Sequence, residues 1–330
     1  MDGKNSLTGA CLSEFIGTFF LVFFGVGSVF VAVLTGALQG LFQLAMVWGL
    51  VIALGIYATS IISGAHFNPA VTIAFSIWRD FPKKNVIPYI VSQLIGAFVA
   101  AAILFSLFSG ILATYEQDKG IVRGQMGSEK SAMVFGEYFP NPGSFGTDDR
   151  AYNTVSPLQA MLAEGIGTAI LVFFIFSLTD SRNANRPNGS LFALFIGLTI
   201  TILISVLAPI TQAGFNPARD FGPRLFAWFA GWGNVAIPGP RGGFFTVYIA
   251  SPILGGIVGG GLYDFLVRRF LPLAEEGAPR MAMRSRDIQY VDSKSGTEAP
   301  LQESHGVDTG KFVRPNTIQG ISSESGSNLE

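Results

Sequence analysis

The chain has 330 residues, of which 49% are hydrophobic and only 13% charged, with a formal net charge of −1. A soluble domain carries about a quarter charged residues, so this composition points away from a water-soluble globule. The balanced charge leaves no electrostatic footprint for nucleic acid, and a single cysteine, Cys11, rules out an intrachain disulfide.

The few charges are segregated. No Asp, Glu, Lys or Arg lies between Glu14 and Arg79, Lys84 and Glu116, Arg186 and Arg219, or Arg241 and Asp264, and only Glu164 interrupts the stretch from Arg150 to Asp180. A helix that crosses a hydrocarbon core needs roughly 20 apolar residues, and these deserts supply them. In chain order, residues 1–9 form a short polar N-terminus whose one base is Lys4. The apolar run behind it continues to span length, which a cleavable leader does not. Full spans are predicted over 10–33 and 41–62. A half-span then starts at Asn68-Pro69-Ala70 and runs to about Trp78, too short to cross. The third span covers 85–109, and a long polar connection occupies 112–156. The fourth and fifth spans cover 157–179 and 190–208. A second half-span starts at Asn216-Pro217-Ala218 and runs to about Phe229, and the sixth span covers 244–267. Residues 270–330 are polar, rich in Ser, Gly and Glu, and are predicted to be a disordered tail. Forty glycines suit helices that approach closely in a membrane.

The two halves repeat, over about 10–110 and about 157–269. Glu14-Phe15-Ile16-Gly17-Thr18 recurs as Glu164-Gly165-Ile166-Gly167-Thr168, and both lead into Leu-Val-Phe-Phe. Tyr89 and Tyr248 hold matching places, with Gly96 and Gly255 in step. Three crossings separate the copies, so the second is inverted about an axis in the membrane plane. The fold class is therefore an all-α polytopic membrane protein of six transmembrane helices and two re-entrant half-helices. Basic residues in short loops (Arg79, Lys83 and Lys84; Arg182 and Arg186; Arg268 and Arg269) place both termini in the cytoplasm of a cell-membrane protein and the 112–156 connection outside.

The chemistry concentrates at the two breaks. Irregular backbone survives at membrane depth only inside protein or along a wet cavity. Asn68 and Asn216 are predicted to cap half-helices that open on Pro69-Ala70 and Pro217-Ala218. Each helix end carries about half a positive charge, so two ends at one lumen repel cations, while the Asn amides offer donors to a passing oxygen. Gly64, Ala65 and His66, with Gln212, Ala213 and Gly214, read as extended stretches whose carbonyls line the lumen as acceptors. Arg219, alone in an apolar segment, reads as a donor to a solute hydroxyl, with Asp220 as the candidate brace. Glu14 and Glu164 read as acceptors for loop N–H groups rather than ion relays. No nucleophile with a partner base and no metal-spaced His, Cys and carboxylate set occurs, so neither catalysis nor a cofactor is expected.

These residues resemble the major intrinsic protein family, the aquaporins and aquaglyceroporins. The likeness covers about residues 8–268 and rests on Ser63-Gly64-Ala65-His66-Phe67-Asn68-Pro69-Ala70-Val71-Thr72 and Gly214-Phe215-Asn216-Pro217-Ala218-Arg219-Asp220-Phe221-Gly222-Pro223-Arg224. The glycerol-conducting branch is the one resembled: Asp220 after Arg219, the Phe226 to Asn234 segment, and Tyr138-Phe139-Pro140-Asn141-Pro142 are all similar to it. The resemblance implies a homotetramer with one pore per subunit, passing glycerol, small polyols and water across the lipid bilayer. It also implies a filter of Trp48, Ile204, Ala213 and Arg219, where the typical facilitator has Trp, Gly, Phe and Arg. Bulk has moved from one wall to another, in a set that resembles the nodulin-26-like plant branch, whose members pass glycerol and some metalloid acids. A water-dominant channel, a urea- or metalloid-permeable one and a membrane scaffold with a vestigial pore stand as the alternatives.

Overall fold

The computed structural model describes residues 6–187 and 191–272. Among the described residues, six helices are long and apolar enough to cross a membrane. The first, α1 (Leu7–Phe30), is capped by Ser6, whose hydroxyl accepts from Gly9 N, and continues in wider turns to Thr35. α2 spans Leu41–Ser63 and stops at Gly64, whose φ of 86° no helix can continue. The half-helix α3 (Pro69–Trp78) has 10 residues. At 1.5 Å per residue it is about 15 Å long, half of the core it would have to cross.

α4 is the longest helix, Lys83–Asp118. It outruns the span predicted over 85–109 because hydropathy ends before helicity does. Leu112 and Glu116 are buried beyond that limit, and the first left-handed residue is Gly120, with φ of 62°. The connection to the second half thus begins near 119 and carries three single-turn helices, α5 (Glu129–Ala132), α6 (Pro142–Phe145) and α7 (Asp149–Tyr152). α8 (Pro157–Thr179) opens on a reciprocal capping box between Ser156 and Gln159. α9 spans Phe192–Thr211, and the second half-helix, α10, spans Pro217–Ala227 before a kink at Gly231. The last span enters through wide turns over Phe244–Ala250 and becomes α11 (Ser251–Leu266). The tail predicted from residue 270 falls, from 273 onward, outside the described residues.

The packing follows the repeat. α1 lies against α2 and α4, and α8 lies against α9 and α11 in the same way. The half-helices trade sides: α3 rests on α11 as well as α4, and α10 rests on α4. α2 and α9 cross at Gly49 and Gly197, where a Cβ on either glycine would run into the other's carbonyl oxygen. Small residues let these backbones touch where lipid supplies no hydrophobic drive between helices. Gly49→Val is therefore expected to cost about 1–3 kcal/mol as overpacking, read as a lower unfolding midpoint of the detergent-solubilised protein. An unchanged midpoint would mean that the crossing can open at no cost. Outward-facing side chains such as Leu54, Ile61, Ile202 and Val206 are more than half exposed, as a lipid-facing surface requires.

Candidate functional site

Each break in the apolar run is built by one asparagine used twice. Asn68 is extended (φ −154°), its Oδ1 accepts from Ala70 N at 2.9 Å, and Pro69 takes the first helical position. Asn216 repeats this (φ −147°), its Oδ1 accepting from Ala218 N at 3.0 Å and Arg219 N at 3.2 Å. The amide nitrogens cross over. Asn68 Nδ2 donates to Phe215 O at 2.8 Å, and Asn216 Nδ2 donates to Phe67 O at 2.8 Å. The half-helix ends are thus tied tip to tip, each amide holding the opposite loop while its second N–H stays available.

The approaches to the tripeptides are not simply extended. Ala65 and Phe67 have φ of 55° and 52°, and Gln212, Ala213 and Phe215 have 64°, 64° and 54°. Five non-glycine residues thus occupy left-handed backbone, each at a cost of order 1–3 kcal/mol. Positive φ at these places breaks the regular alternation by which a strand sends successive carbonyls to opposite sides. The Phe67 and Phe215 rings fold back under Gly17 and Gly167, where any Cβ would overlap them.

Two buried carboxylates hold these strained stretches. Glu14 Oε1 accepts from His66 N at 2.8 Å and Ser63 Oγ at 2.7 Å, and Oε2 from Phe67 N and Gln93 Nε2, both at 2.7 Å. Glu164 Oε1 accepts from Gly214 N at 2.9 Å and Thr211 Oγ1 at 2.6 Å, and Oε2 from Phe215 N at 2.7 Å. Tyr89 and Tyr248 close the same corners, donating to Ser63 O and Thr211 O.

A cavity of about 260 Å³ lies between the two halves and is lined by residues of both. Asn68, Asn216 and both loop stretches, Gly64 to Phe67 and Gln212 to Phe215, line it. The facing wall is apolar, with Ile52, Ile56, Ile196 and Ile200. Trp48, Ile204, Ala213 and Arg219 all border this cavity, and the Arg219 guanidinium lies 4.7 Å from the centroid of the Trp48 ring. The carbonyls of 64–66 and 212–214 take no part in the loop and helix bonds described above.

The pairing of Arg219 with Asp220, the alternative to a solute-facing role, is not the one the geometry makes. The Asp220 carboxylate takes Arg224 in a two-point grip, Nε and Nη2 both at 2.8 Å, because residues four apart share a helix face while neighbours do not. Asp220 also accepts Glu137 N at 2.7 Å and so fastens the long connection to α10. Arg219 pairs instead with Glu137, Nε to Oε1 at 3.0 Å, and donates from Nη1 to Phe135 O at 2.9 Å. The sequence reading passed over Glu137, one of six acids in a polar connection; only its neighbours in space distinguish it. Burial pushes its carboxyl well above the usual range; Arg219 and Arg224 oppose that, and Glu164 and Asp220 add to it.

The comparisons with known proteins agree with this architecture. A family model described as major intrinsic protein matches residues 3–263. The glycerol uptake facilitator protein of Escherichia coli strain K12 is 44% identical over 273 residues, covering 82% of this chain and 92% of that protein. The propanediol uptake facilitator of Citrobacter freundii is 40% identical over 270 residues, covering 82% and 96%. Among solved structures, the X-ray structure of the aquaglyceroporin from Plasmodium falciparum superposes with a TM-score of 0.67 at 26% identity, covering 79% of this chain and 97% of that one. Six spans, two capped half-helices joined at their tips and a match along most of its length place this chain in the major intrinsic protein family.

Proposed function

We propose that the protein is a passive channel for glycerol and similar small uncharged polyols, with some water. It lies in the cell membrane as a homotetramer with one passage per subunit and both ends of the chain on the cytoplasmic side. One observation carries the reading: the cavity that runs past Asn68, Asn216 and Arg219 has a polar track on one side and isoleucines on the other. A polyol is two-sided in the same sense. Its hydroxyls exchange water for the loop carbonyls, the spare Asn N–H groups and Arg219, while its carbon edge slides along Trp48, Ile204 and the isoleucine wall. The similarity to glycerol and propanediol facilitators supports this class of solute.

Stopped-flow light scattering on reconstituted vesicles tests the proposal. A glycerol gradient is expected to give fast reswelling, and reswelling at the rate of protein-free vesicles would overturn the reading. Ile204→Gly with Ala213→Phe restores the bulk distribution of the typical facilitator and is expected to change the ratio of glycerol to water permeability by about tenfold, some 1.4 kcal/mol of barrier difference. An unchanged ratio would remove these two residues from the filter. The second reading, a water-dominant channel, draws on Ile204, whose branched side chain stands at the cavity edge where a glycine would leave room. Osmotic shrinkage without glycerol reswelling would favour it.

A further inference from the structure

The two halves treat their buried glutamates alike except at one place. Glu14 Oε2 receives the Gln93 amide. Counting four residues on from the paired tyrosines Tyr89 and Tyr248, the counterpart of Gln93 is Pro252, which has no side-chain donor. Glu137 enters the corresponding space from the connection between α4 and α8. Its backbone is fixed on both sides, the N–H by Asp220 Oδ1 and the carbonyl by Arg224 Nη2. A Cβ on Gly214 would overlap its Oε2 and would lie 3.2 Å from Glu164 Oε2. Gly214 does not have a positive φ, so this residue is a glycine to make room for the carboxylate and not to make a turn. Glu137 Oε1 pairs with Arg219 while Oε2, buried, accepts from no donor among the described residues.

The charges around the cavity are lopsided without this residue. Each half-helix end contributes about half a positive charge, and Arg219 adds a full one. A concave site with converging N–H groups and a guanidinium is an anion site by construction. Glu14 and Glu164 stand behind the loops, engaged by N–H and hydroxyl groups. Glu137 is the one acid among the residues that line the cavity. We propose that Glu137 is a fifth residue of the filter and sets its charge: paired with Arg219 it cancels the full positive charge of that guanidinium, and so keeps small anions such as chloride out of a passage whose half-helix ends attract them. This rests on the channel reading above.

The test uses vesicles containing the full chain, loaded with a chloride-quenched dye, with glycerol reswelling measured on the same preparation to show that the passage is open. The unmodified protein is expected to pass glycerol and to hold chloride at the protein-free rate. Glu137→Gln keeps the shape and removes the charge, and chloride flux is expected to rise at least about tenfold. Glu137→Asp keeps the charge and is expected to stay near the protein-free rate. Glycerol flux with chloride excluded in Glu137→Gln would overturn the proposal, and a leak in Glu137→Asp equal to that in Glu137→Gln would overturn its basis in charge. Should Glu137→Gln pass no glycerol, the unmodified protein decides. The groups that face Glu137 are Arg219, Asp220 and Arg224 on α10, Glu164 on α8 and Tyr248 in the last span. Since burial favours the protonated carboxyl, lowering the outer pH stepwise for as long as glycerol still passes is expected to raise chloride flux, and no rise anywhere in that range would overturn the proposal. Failure of the unmodified protein to pass glycerol would instead strike the channel reading itself.

Discussion

Glu164→Ala is expected to bring glycerol permeation down to the lipid background and to destabilise the protein. The carboxylate satisfies Thr211 Oγ1, Gly214 N and Phe215 N, all inside the protein, where water cannot replace it. Each buried donor left without an acceptor costs about 1–3 kcal/mol. Those same bonds hold Ala213 and Phe215 in left-handed backbone, so their loss frees the stretch to relax and swing its carbonyls away from the cavity. Glu164→Gln is a sharper probe. It preserves volume, yet one end of its amide is a donor that would face a donor, so glycerol flux is expected to fall in this variant too. Reswelling within about twofold of the unmodified rate in Glu164→Ala, less than 0.5 kcal/mol of barrier, would show that the loop keeps its shape without the carboxylate.

The second large effect is expected at the junction of the half-helices. Asn216→Asp leaves a competent cap, since a carboxylate oxygen can accept Ala218 N and Arg219 N as the amide oxygen does. What it removes is the donor to Phe67 O, and the replacement oxygen would sit about 2.8 Å from that carbonyl, acceptor against acceptor. It also sets a full negative charge on a helix end worth about half a positive one, which turns the local field from cation-repelling to cation-attracting. Glycerol permeability is expected to drop about tenfold or more, with a sodium or proton leak visible by an entrapped pH or sodium dye. An unaltered glycerol rate with no leak would show that the tie between the tips and its field do not govern passage.

The residue pattern made the framework readable because membrane physics leaves few options. Long charge-free stretches have to be spans, and Asn-Pro-Ala inside two of them has to be a capped break. An acid alone in a span, as Glu14 and Glu164 are, demands buried donors. Three features gave no such signal. The left-handed loop residues are Ala65, Phe67, Gln212, Ala213 and Phe215, types that normally avoid that region, and bonds from groups distant in sequence, Glu14, Glu164 and the crossed Asn amides among them, hold the loops there. The pairing of Asp220 with Arg224 rather than Arg219 depends on a helical face that opens right at the break, where neighbours in sequence point apart. Glu137 lay in a connection that crosses a polar boundary, where an acid needs no explanation until the chain folds it against Gly214 and Arg219. Likewise, α4 outlasts its apolar segment with most of its last turns exposed; the buried Leu112 and the pairing of Glu116 with Arg123 in the connection are what tie them to the protein.

The crossed amide bonds between Asn68 and Phe215 and between Asn216 and Phe67 have one more implication. They join the inverted halves at the tips of the half-helices, while Gly49 and Gly197 bring the same halves into backbone contact where α2 and α9 cross. Ties at these points brace the two halves against rocking. A molecule in transit finds its hydrogen-bonding partners already in position and breaks no contact of the protein to go by, so the thermal cost of its passage is that of shedding and regaining its own water. The activation energy of permeation should therefore stay close to that of diffusion in bulk solution, with no conformational step to steepen it.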